Sequence, residues 1–221
     1  MLSLFSCRKD TKPETFYGID VSKNQGPMDW DVLATQDEHP IKFVLIRSTL
    51  GDDRIDYKFE HNLKRAREKN FIVGAYHYYD PNENSSIQAD NYLKKVHLTQ
   101  GDIIPIVDIE RTSKVQSPQK LLVGLRNWLS IVEKAYGVKP IIYSASSWFD
   151  TFLAGPELDS YPKWVAKWID CNGQPTDDDK HVRNAVIWQY TDKLKIPGIP
   201  SKYTVDGNVM CSSVLGDITL R

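Results

Sequence analysis

The chain has 221 residues, of which 41% are hydrophobic and 26% are charged, with a formal net charge of −1 at pH 7. This composition is ordinary for one or two globular domains, and it excludes an intrinsically disordered chain. Lys and Arg are scattered along the sequence, which removes the electrostatic basis for nucleic-acid binding. No apolar run approaches the roughly 18 residues of a membrane span.

The first 15 residues are predicted to be a tail outside the folded domain. Cys7 follows a short apolar stretch and a small residue, and a polar, Lys-rich stretch comes after it. This pattern resembles the end of a bacterial lipoprotein signal and predicts an extracytoplasmic protein, in the cell envelope or secreted. Either Cys7 is lipidated and anchors the chain to a membrane, or the resemblance is accidental. An oxidising compartment would allow Cys171 and Cys211 to pair.

Five apolar runs with strand character alternate with stretches of helical periodicity. The runs cover residues 16–21, 42–48, 71–78, 103–110 and 139–144. Between them, residues 56–69 carry apolar side chains every three or four positions. A second helix at 117–134 begins with a serine N-cap and a proline at its first position, a typical start signal. Strand–helix units in series predict a parallel sheet.

Beyond residue 155 the pattern changes. Strands are predicted at 162–168, 185–190 and 203–209, with connections rich in Pro, Gly and Asp rather than helices. A complete eightfold α/β barrel needs about 250 residues, and residues 16–221 fall short of that by roughly the missing helices. We therefore predict a single catalytic α/β domain, a TIM-like barrel of (β/α)5(β)3 type with eight strands and helices after the first five.

Polar and aromatic residues lie where these predicted strands end. Active sites of parallel α/β barrels form at the C-terminal ends of the strands. Acids end the first, fourth and eighth strands, and barrel closure places the eighth strand beside the first. The predicted catalytic acids are Asp20, Asp108, Glu110 and Asp206. The predicted substrate-binding residues are Arg47, Tyr78, Tyr79, Tyr143, Trp168, Trp188, Gln189 and Asn208, because aromatic faces stack on sugar rings.

Asp108 and Glu110 form a D-x-E pair on one strand. Residues two apart on a strand point to the same side, about 6.6 Å apart, and like charges at that distance push one pKa upward. One protonated and one charged carboxyl is the arrangement that glycoside hydrolysis requires. Glu110 has the longer side chain and lies nearer the barrel mouth, so we expect it to be the general acid.

Two other functions fit the same residues. The acids could hold Mg²⁺ or Ca²⁺ in a phosphoester hydrolase, although no H-x-H or H-E-x-x-H pattern supports a zinc site. A barrel with the same rim could also bind glycans without cleaving them. A lone D-x-E pair is more common in surface loops, and a lone buried Trp or His is usually structural. The joint placement of acids and aromatics favours a glycosidase that needs no metal or cofactor.

The ordered motifs resemble one known family along nearly the whole chain, from about residue 16 to 212. They are F-Y-G-I-D-V-S from residue 16, F-V-L-I-R-S from 43, V-G-A-Y-H-Y from 73, P-I-V-D-I-E from 105, W-V-A-K-W from 164, I-W-Q-Y-T from 187 and V-D-G-N from 205. The order is similar to that of glycoside hydrolase family 25, the lysozymes or N-acetylmuramidases.

This resemblance implies a flattened barrel that hydrolyses the β-1,4 bond between N-acetylmuramic acid and N-acetylglucosamine in peptidoglycan, and we expect it to act as a monomer. The family's acid falls on Glu110 and its companion on Asp108, with Asp20 and Asp206 as the other acids. Gly207 stands where a branched apolar residue is commoner, which predicts a looser strand end there. Retaining, inverting and substrate-assisted routes, the last using the substrate's own 2-acetamido group, all stay open.

Overall fold

The structure is a computed structural model that describes residues 14–35, 40–168 and 180–221. Cys7 and nearly all of the predicted tail lie outside the described residues. Cys211 is buried and disulfide-bonded, whereas Cys171, its predicted partner, lies outside them. No helix of the described ranges is both long and apolar enough to cross a membrane.

The described strands form one sheet that closes on itself. They are β1 (Thr15–Val21), β2 (Ile41–Leu50), β3 (Arg54–Ile55), β4 (Ile72–Tyr78), β5 (Ile106–Asp108), β6 (Ile141–Ala145), β7 (Lys163–Ala166), β8 (Ile187–Leu194) and β9 (Val205–Cys211). The order is β1-β9-β8-β7-β6-β5-β4-β2, and pairing of β1 with β2 completes the ring. Strand β3 is a two-residue addition to β2. The predicted barrel of eight strands is confirmed.

The last strand runs in the opposite direction to the others in the ring. Strands β1, β2 and β4 to β8 are parallel neighbours, while β9 is antiparallel to both β8 and β1. The sequence predicts Asp206 at the end of a strand, whereas it is the second residue of β9. Because β9 is reversed, its start rather than its end lies at the mouth, where Asp206 pairs with Asp20.

The longest helices follow the strands of the first half. The helices are α1 (Trp30–Leu33), α2 (Phe59–Glu68), α3 (Ser85–Lys95), α4 (Pro118–Tyr136), α5 (Ser146–Thr151), α6 (Pro156–Asp159), α7 (Lys180–Arg183) and α8 (Leu215–Ile218), with 3-10 turns at Lys23–Gln25 and Ser212–Val214. Among the described residues, only the four-residue α7 lies between β7 and β8 and no α-helix lies between β8 and β9. The decline of helices after the fifth unit agrees with the prediction.

Helix α4 shows how the sequence specifies an element. The Ser117 side chain accepts a hydrogen bond from Lys120 N, Pro118 is the first helical residue, and Gly137 ends the helix in the left-handed region at φ 73°. Each of these is a preferred terminal residue. Its apolar face is wholly buried, with residues Leu121, Leu125, Trp128, Leu129 and Val132.

Alternation along the strands separates two apolar layers. On β2, Phe43 and Leu45 belong to the cluster inside the barrel, while Val44 and Ile46 pack beneath the helices. Arg47 continues the inward series and lines the cavity at the mouth. At the other end of the barrel, Ile218 belongs to the inner cluster and neighbouring C-terminal residues pack against it. The C-terminal segment therefore closes the end opposite the acids.

Strand β5 is shorter than predicted, three residues rather than eight. Pro105 cannot donate to a ladder, and Ile103 bridges Thr219 of the C-terminal segment instead of joining β5. Beyond Asp108, Ile109 N still donates to Tyr143 O at 3.1 Å. Glu110 therefore lies just past the strand, on backbone that its last hydrogen bond still holds.

Candidate active site

A cavity of about 170 Å³ opens at the mouth of the barrel. All four predicted catalytic acids line it, together with Arg47, Tyr78 and Tyr143 of the predicted binding residues. The other lining residues are Val21, Ser22, Asn24, Gln25, Tyr76 and Trp164. Acids that are up to 186 positions apart in the sequence thus share one cavity wall.

Asp108 and Glu110 have different surroundings although they are two residues apart. Asp108 is buried and Glu110 is exposed. Asp108 Oδ1 is buried and has no hydrogen-bond partner within the described part of the chain. A buried carboxylate oxygen normally has a partner, so this atom is available to a donor that enters the cavity.

The pKa of Asp108 is raised well above its ordinary value. Burial is the largest cause, and the Glu110 carboxylate adds to it. The Asp20 charge raises it further, while the Arg47 guanidinium lowers it. Asp108 therefore keeps its proton over a pH range in which an isolated aspartate would be charged.

Asp20 and Asp206 form a second acidic pair across the junction of β1 and β9. Burial and the Asp206 charge raise the pKa of Asp20 well above its ordinary value, and hydrogen bonds from Asn208 and Gln189 lower it. Burial is the largest cause that raises the pKa of Asp206 to about 6. Both carboxyls therefore hold a proton more tightly than isolated aspartates do.

Two side-chain amides hold Asp20. Asn208 Nδ2 donates to Asp20 Oδ2 at 2.8 Å, and Gln189 Nε2 donates to the same oxygen at 3.0 Å. Each amide oxygen accepts from an indole: Asn208 Oδ1 from Trp164 Nε1 at 2.8 Å, and Gln189 Oε1 from Trp168 Nε1 at 3.0 Å. The predicted binding residues Gln189 and Asn208 are therefore bound to the acids themselves.

Arg47 is held in place by an acid outside the cavity lining. Its Nε donates to Asp56 Oδ2 at 3.0 Å, and Asp56 also accepts from the backbone N–H groups of Lys23 and Lys58 at 2.9 and 3.0 Å. Asp56 is 1% exposed, so the ion pair is shielded from water. This arrangement fixes one positive charge beside the acids.

The aromatic wall is Tyr76, Tyr78, Tyr143 and Trp164. The Tyr143 and Trp164 ring centroids are 4.2 Å apart, and Tyr76 meets Trp164 edge-on at 5.9 Å. Tyr76 and Trp164 line the cavity but were not among the predicted substrate-binding residues. Strand alternation carried the signal for Tyr76, because a residue two positions before Tyr78 faces the same side.

Tyr79 and Trp188 are not brought to the cavity, contrary to prediction. Tyr79 is 2% exposed in the layer beneath the helices. Trp188 is also 2% exposed, and its Nε1 donates to Lys167 O at 2.9 Å. Each is adjacent to an inward-facing residue, Tyr78 or Gln189, so each points to the other face of the sheet. Trp168 lies two residues past β7 at the rim, 54% exposed.

The gap left by Gly207 is filled. A Cβ at this position would lie 2.7 Å from Tyr190 Cζ, so the Tyr190 ring occupies the space of the missing side chain. The ladder passes from the Gln189–Asn208 pair to the Thr191–Gly207 pair, which leaves Tyr190 as the extra residue of a bulge. Strand β9 pairs with β1 through Gly207, whereas its register with β8 shifts on both sides of this residue. The looser strand end stays a prediction.

Metal coordination has no support in the described geometry. Across residues 14–35, 40–168 and 180–221, no group of three or more His, Cys, Asp or Glu side chains is arranged to hold a metal ion. The Asp20 carboxylate is instead held by the side-chain amides of Gln189 and Asn208. The arrangement can bind a neutral polyol and transfer a proton to it.

Comparison with known proteins gives consistent results. The family model described as glycosyl hydrolases family 25 matches residues 19–199. The uncharacterized protein YegX of Escherichia coli K12 is 36% identical over 202 residues, covering 90% of this chain and 71% of that protein. Lysozyme M1 of Streptomyces globisporus is 29% identical over 199 residues, covering 82% of this chain and 64% of that protein.

Solved structures share the fold. A family 25 glycosyl hydrolase from Bacillus anthracis superposes with a TM-score of 0.77 at 24% identity, covering 96% of both chains. A bacterial lysozyme from Streptomyces coelicolor gives 0.76 at 23% identity, covering 91% of this chain and 93% of that one. With the family model spanning most of the barrel and its acids at one mouth, the chain belongs to glycosyl hydrolase family 25 and is a glycoside hydrolase of the lysozyme class, which acts on peptidoglycan.

Proposed function

We propose that the enzyme hydrolyses the β-1,4 bond between N-acetylmuramic acid and N-acetylglucosamine, with Glu110 as general acid. Asp108 orients the substrate's 2-acetamido group. The observation that carries this assignment is the unpartnered, buried Oδ1 of Asp108 in a cavity that it shares with the exposed Glu110. An acetamide N–H is a donor that this oxygen can accept.

Substrate binding would favour transfer of the proton from Asp108 to Glu110. An N–H donated to Asp108 favours its charged form, because a hydrogen bond to the charged form lowers a pKa. The proton of the pair is then left on Glu110, whose longer side chain reaches further into the mouth. Substrate binding thus leaves Glu110 protonated, as a general acid has to be before it cleaves the bond.

The reaction then proceeds in two steps. Glu110 gives its proton to the glycosidic oxygen as the bond to the anomeric carbon breaks, and the acetamide carbonyl oxygen attacks that carbon to form an oxazolinium ring. Water next adds to the anomeric carbon while the Glu110 carboxylate takes its proton, and the ring reopens. Asp108 holds the acetamide N–H throughout, and the Asp20–Asp206 pair offers negative charge to the oxocarbenium-like transition states.

Digestion of purified sacculi tests the proposal. The enzyme is incubated with peptidoglycan, with and without EDTA, and the new reducing ends are identified by mass. We expect N-acetylmuramic acid at the reducing ends, in equal yield with and without chelator.

Three outcomes would contradict it. New N-acetylglucosamine ends would assign the other glycosidic bond. Binding to sacculi without new ends would indicate a glycan-binding module. Loss of activity in EDTA would indicate a metal-dependent hydrolase that uses the same acids.

We also propose that the enzyme works outside the cytoplasm, because peptidoglycan is assembled there, and that it does so as a monomer. Lipidation of Cys7 stays a prediction, since that residue lies outside the described part of the chain. Incorporation of a labelled fatty acid into the wild type but not into a Cys7→Ser variant would test the anchor.

A further inference from the structure

Gln189 has no hydrogen-bonding capacity left for a substrate. It faces inward from β8 and is 1% exposed. Its Oε1 accepts from Tyr143 OH and Trp168 Nε1, both at 3.0 Å, and its Nε2 donates to Asp20 Oδ2 at 3.0 Å and Asp206 Oδ2 at 3.4 Å. A side-chain amide offers two acceptor positions and two N–H donors, and the chain itself uses all four.

The orientation of this amide is determined by its neighbours. An indole N–H can only donate, so the Gln189 oxygen has to face Trp168, and the NH₂ group then faces the two carboxyls. Trp168 is 54% exposed at the rim. A surface residue that a sugar can reach is therefore two hydrogen bonds away from a buried acid.

We propose that Gln189 is a positioning residue that couples Trp168 at the rim to the Asp20–Asp206 pair. The inference rests on the proposed function, and it replaces the expectation that Gln189 binds substrate. Trp168 fixes the orientation of the Gln189 amide, and the amide in this orientation supplies one N–H donor to each carboxyl. Asn208, held in the same way by Trp164 Nε1 at 2.8 Å, gives Asp20 a second donor on the deeper side.

The coupling has a measurable consequence because donors favour charged carboxyls. The hydrogen bond from Gln189 lowers the pKa of Asp20 against the effect of burial. Removing that donor raises the proton affinity of the Asp20–Asp206 pair. The limb of the pH–rate profile at which this pair ionises therefore moves to higher pH. Damage to structure alone would lower kcat at every pH without moving the limb.

Other titratable or charged groups face the pair and stay unchanged in this comparison. They are Asp108 and Glu110 at the end of β5, Tyr76 on β4, Tyr143 on β6, Asp192 on β8 and Arg47 on β2. A shift of the pH–rate limb on changing Gln189 is therefore assigned to the lost hydrogen bonds by comparing the profiles of several variants.

The decisive variant is Gln189→Glu, which has nearly the same shape. It keeps an oxygen toward Trp168 and Tyr143 but presents a second oxygen, in place of the NH₂ group, to Asp20 and Asp206. We expect kcat on sacculi to fall about tenfold to a hundredfold, and the limb to move up by about one pH unit or more. Trp168→Phe, at an exposed position, removes the indole N–H donor and keeps an aromatic ring, and we expect a smaller shift in the same direction.

The matched control is Gln100→Glu, which adds the same charge at an exposed site near the closed end of the barrel. We expect its profile to match the wild type. An unshifted limb in Gln189→Glu overturns the coupling whatever its kcat, and if that variant fails to fold, an unshifted limb in Trp168→Phe does so. Wild-type enzyme that releases no muramic acid ends would instead refute the proposed function.

Discussion

Two carboxyls separated by one residue have acquired opposite properties from their surroundings. Asp108 is buried, and its pKa is raised well above the ordinary value by that burial and by Glu110. Glu110 is exposed at the mouth, past the end of β5. The sequence could predict that one of them would hold a proton. It could not predict that the resting pair has its raised pKa on Asp108, because that depends on which side chain the barrel buries.

Replacement of Glu110 by Gln removes the proton donor and keeps the shape. We expect kcat to fall about 10²–10⁴-fold, as for the loss of a general acid, with binding to sacculi retained. Release of reducing ends and sedimentation with sacculi measure the two effects separately. Digestion near the wild-type rate would exclude Glu110 as the acid.

The role of Asp108 is tested by chemical rescue. If Asp108 orients the acetamido group, Asp108→Ala stays inactive in azide, because the nucleophile is the acetamide oxygen of the substrate and not the deleted carboxylate. If Asp108 were the nucleophile, azide would restore turnover and yield a glycosyl azide. Mass analysis of the products distinguishes the two routes, and Glu110→Ala assayed in parallel reports any rescue of the acid step.

At the scale of elements, local signals were sufficient where they agreed with packing. Helix α4 could be read directly, from its N-cap serine to its buried face. The outward facing of Tyr79 and Trp188 also follows from strand alternation once Tyr78 and Gln189 face inward, whereas the direction of β9 could not be read from the sequence. Strand direction is set by the partners that the chain meets on closure, and the bulge at Tyr190 shifts the register after Gln189 in a way that no single segment encodes.

The buried face of α4 gives a stability prediction. Leu129 is fully buried, so Leu129→Ala should lower the free energy of unfolding by about 2–5 kcal/mol. Val123 lies on the same helix and is 58% exposed, so Val123→Ala should change it by less than about 0.5 kcal/mol. Urea unfolding of both variants at one pH makes the comparison. Equal losses would mean that α4 does not pack as described.

For the whole molecule, the acids of the site oppose the stability of the fold. Burial raises the pKa of Asp20 and Asp108 well above their ordinary values, and that of Asp206 to about 6 from 3.8. A carboxyl whose pKa is higher in the folded state binds more protons there. The stability linked to that proton is fully present below about pH 4 and is lost as the pH rises through about 6.

Asp206→Asn should therefore stabilise the protein at neutral pH while it impairs catalysis. We expect a gain of about 2 kcal/mol at pH 7.5 that shrinks toward zero near pH 4. Urea unfolding at both values measures the gain. The exposed Asp90→Asn on α3 serves as the control and should change stability by less than about 0.5 kcal/mol at either pH. A gain that did not depend on pH would contradict the linkage.

The reversal of β9 also decides where the polypeptide leaves the barrel. Thr15 pairs with Cys211, so the first strand begins and the last one finishes side by side, at the pole that the C-terminal segment seals. A lipid, a fusion partner or a resin joined ahead of Thr15 would attach the enzyme by the closed end of its barrel. The mouth of the barrel, with its acids, would then face away from the attachment point and toward any polymer above the surface.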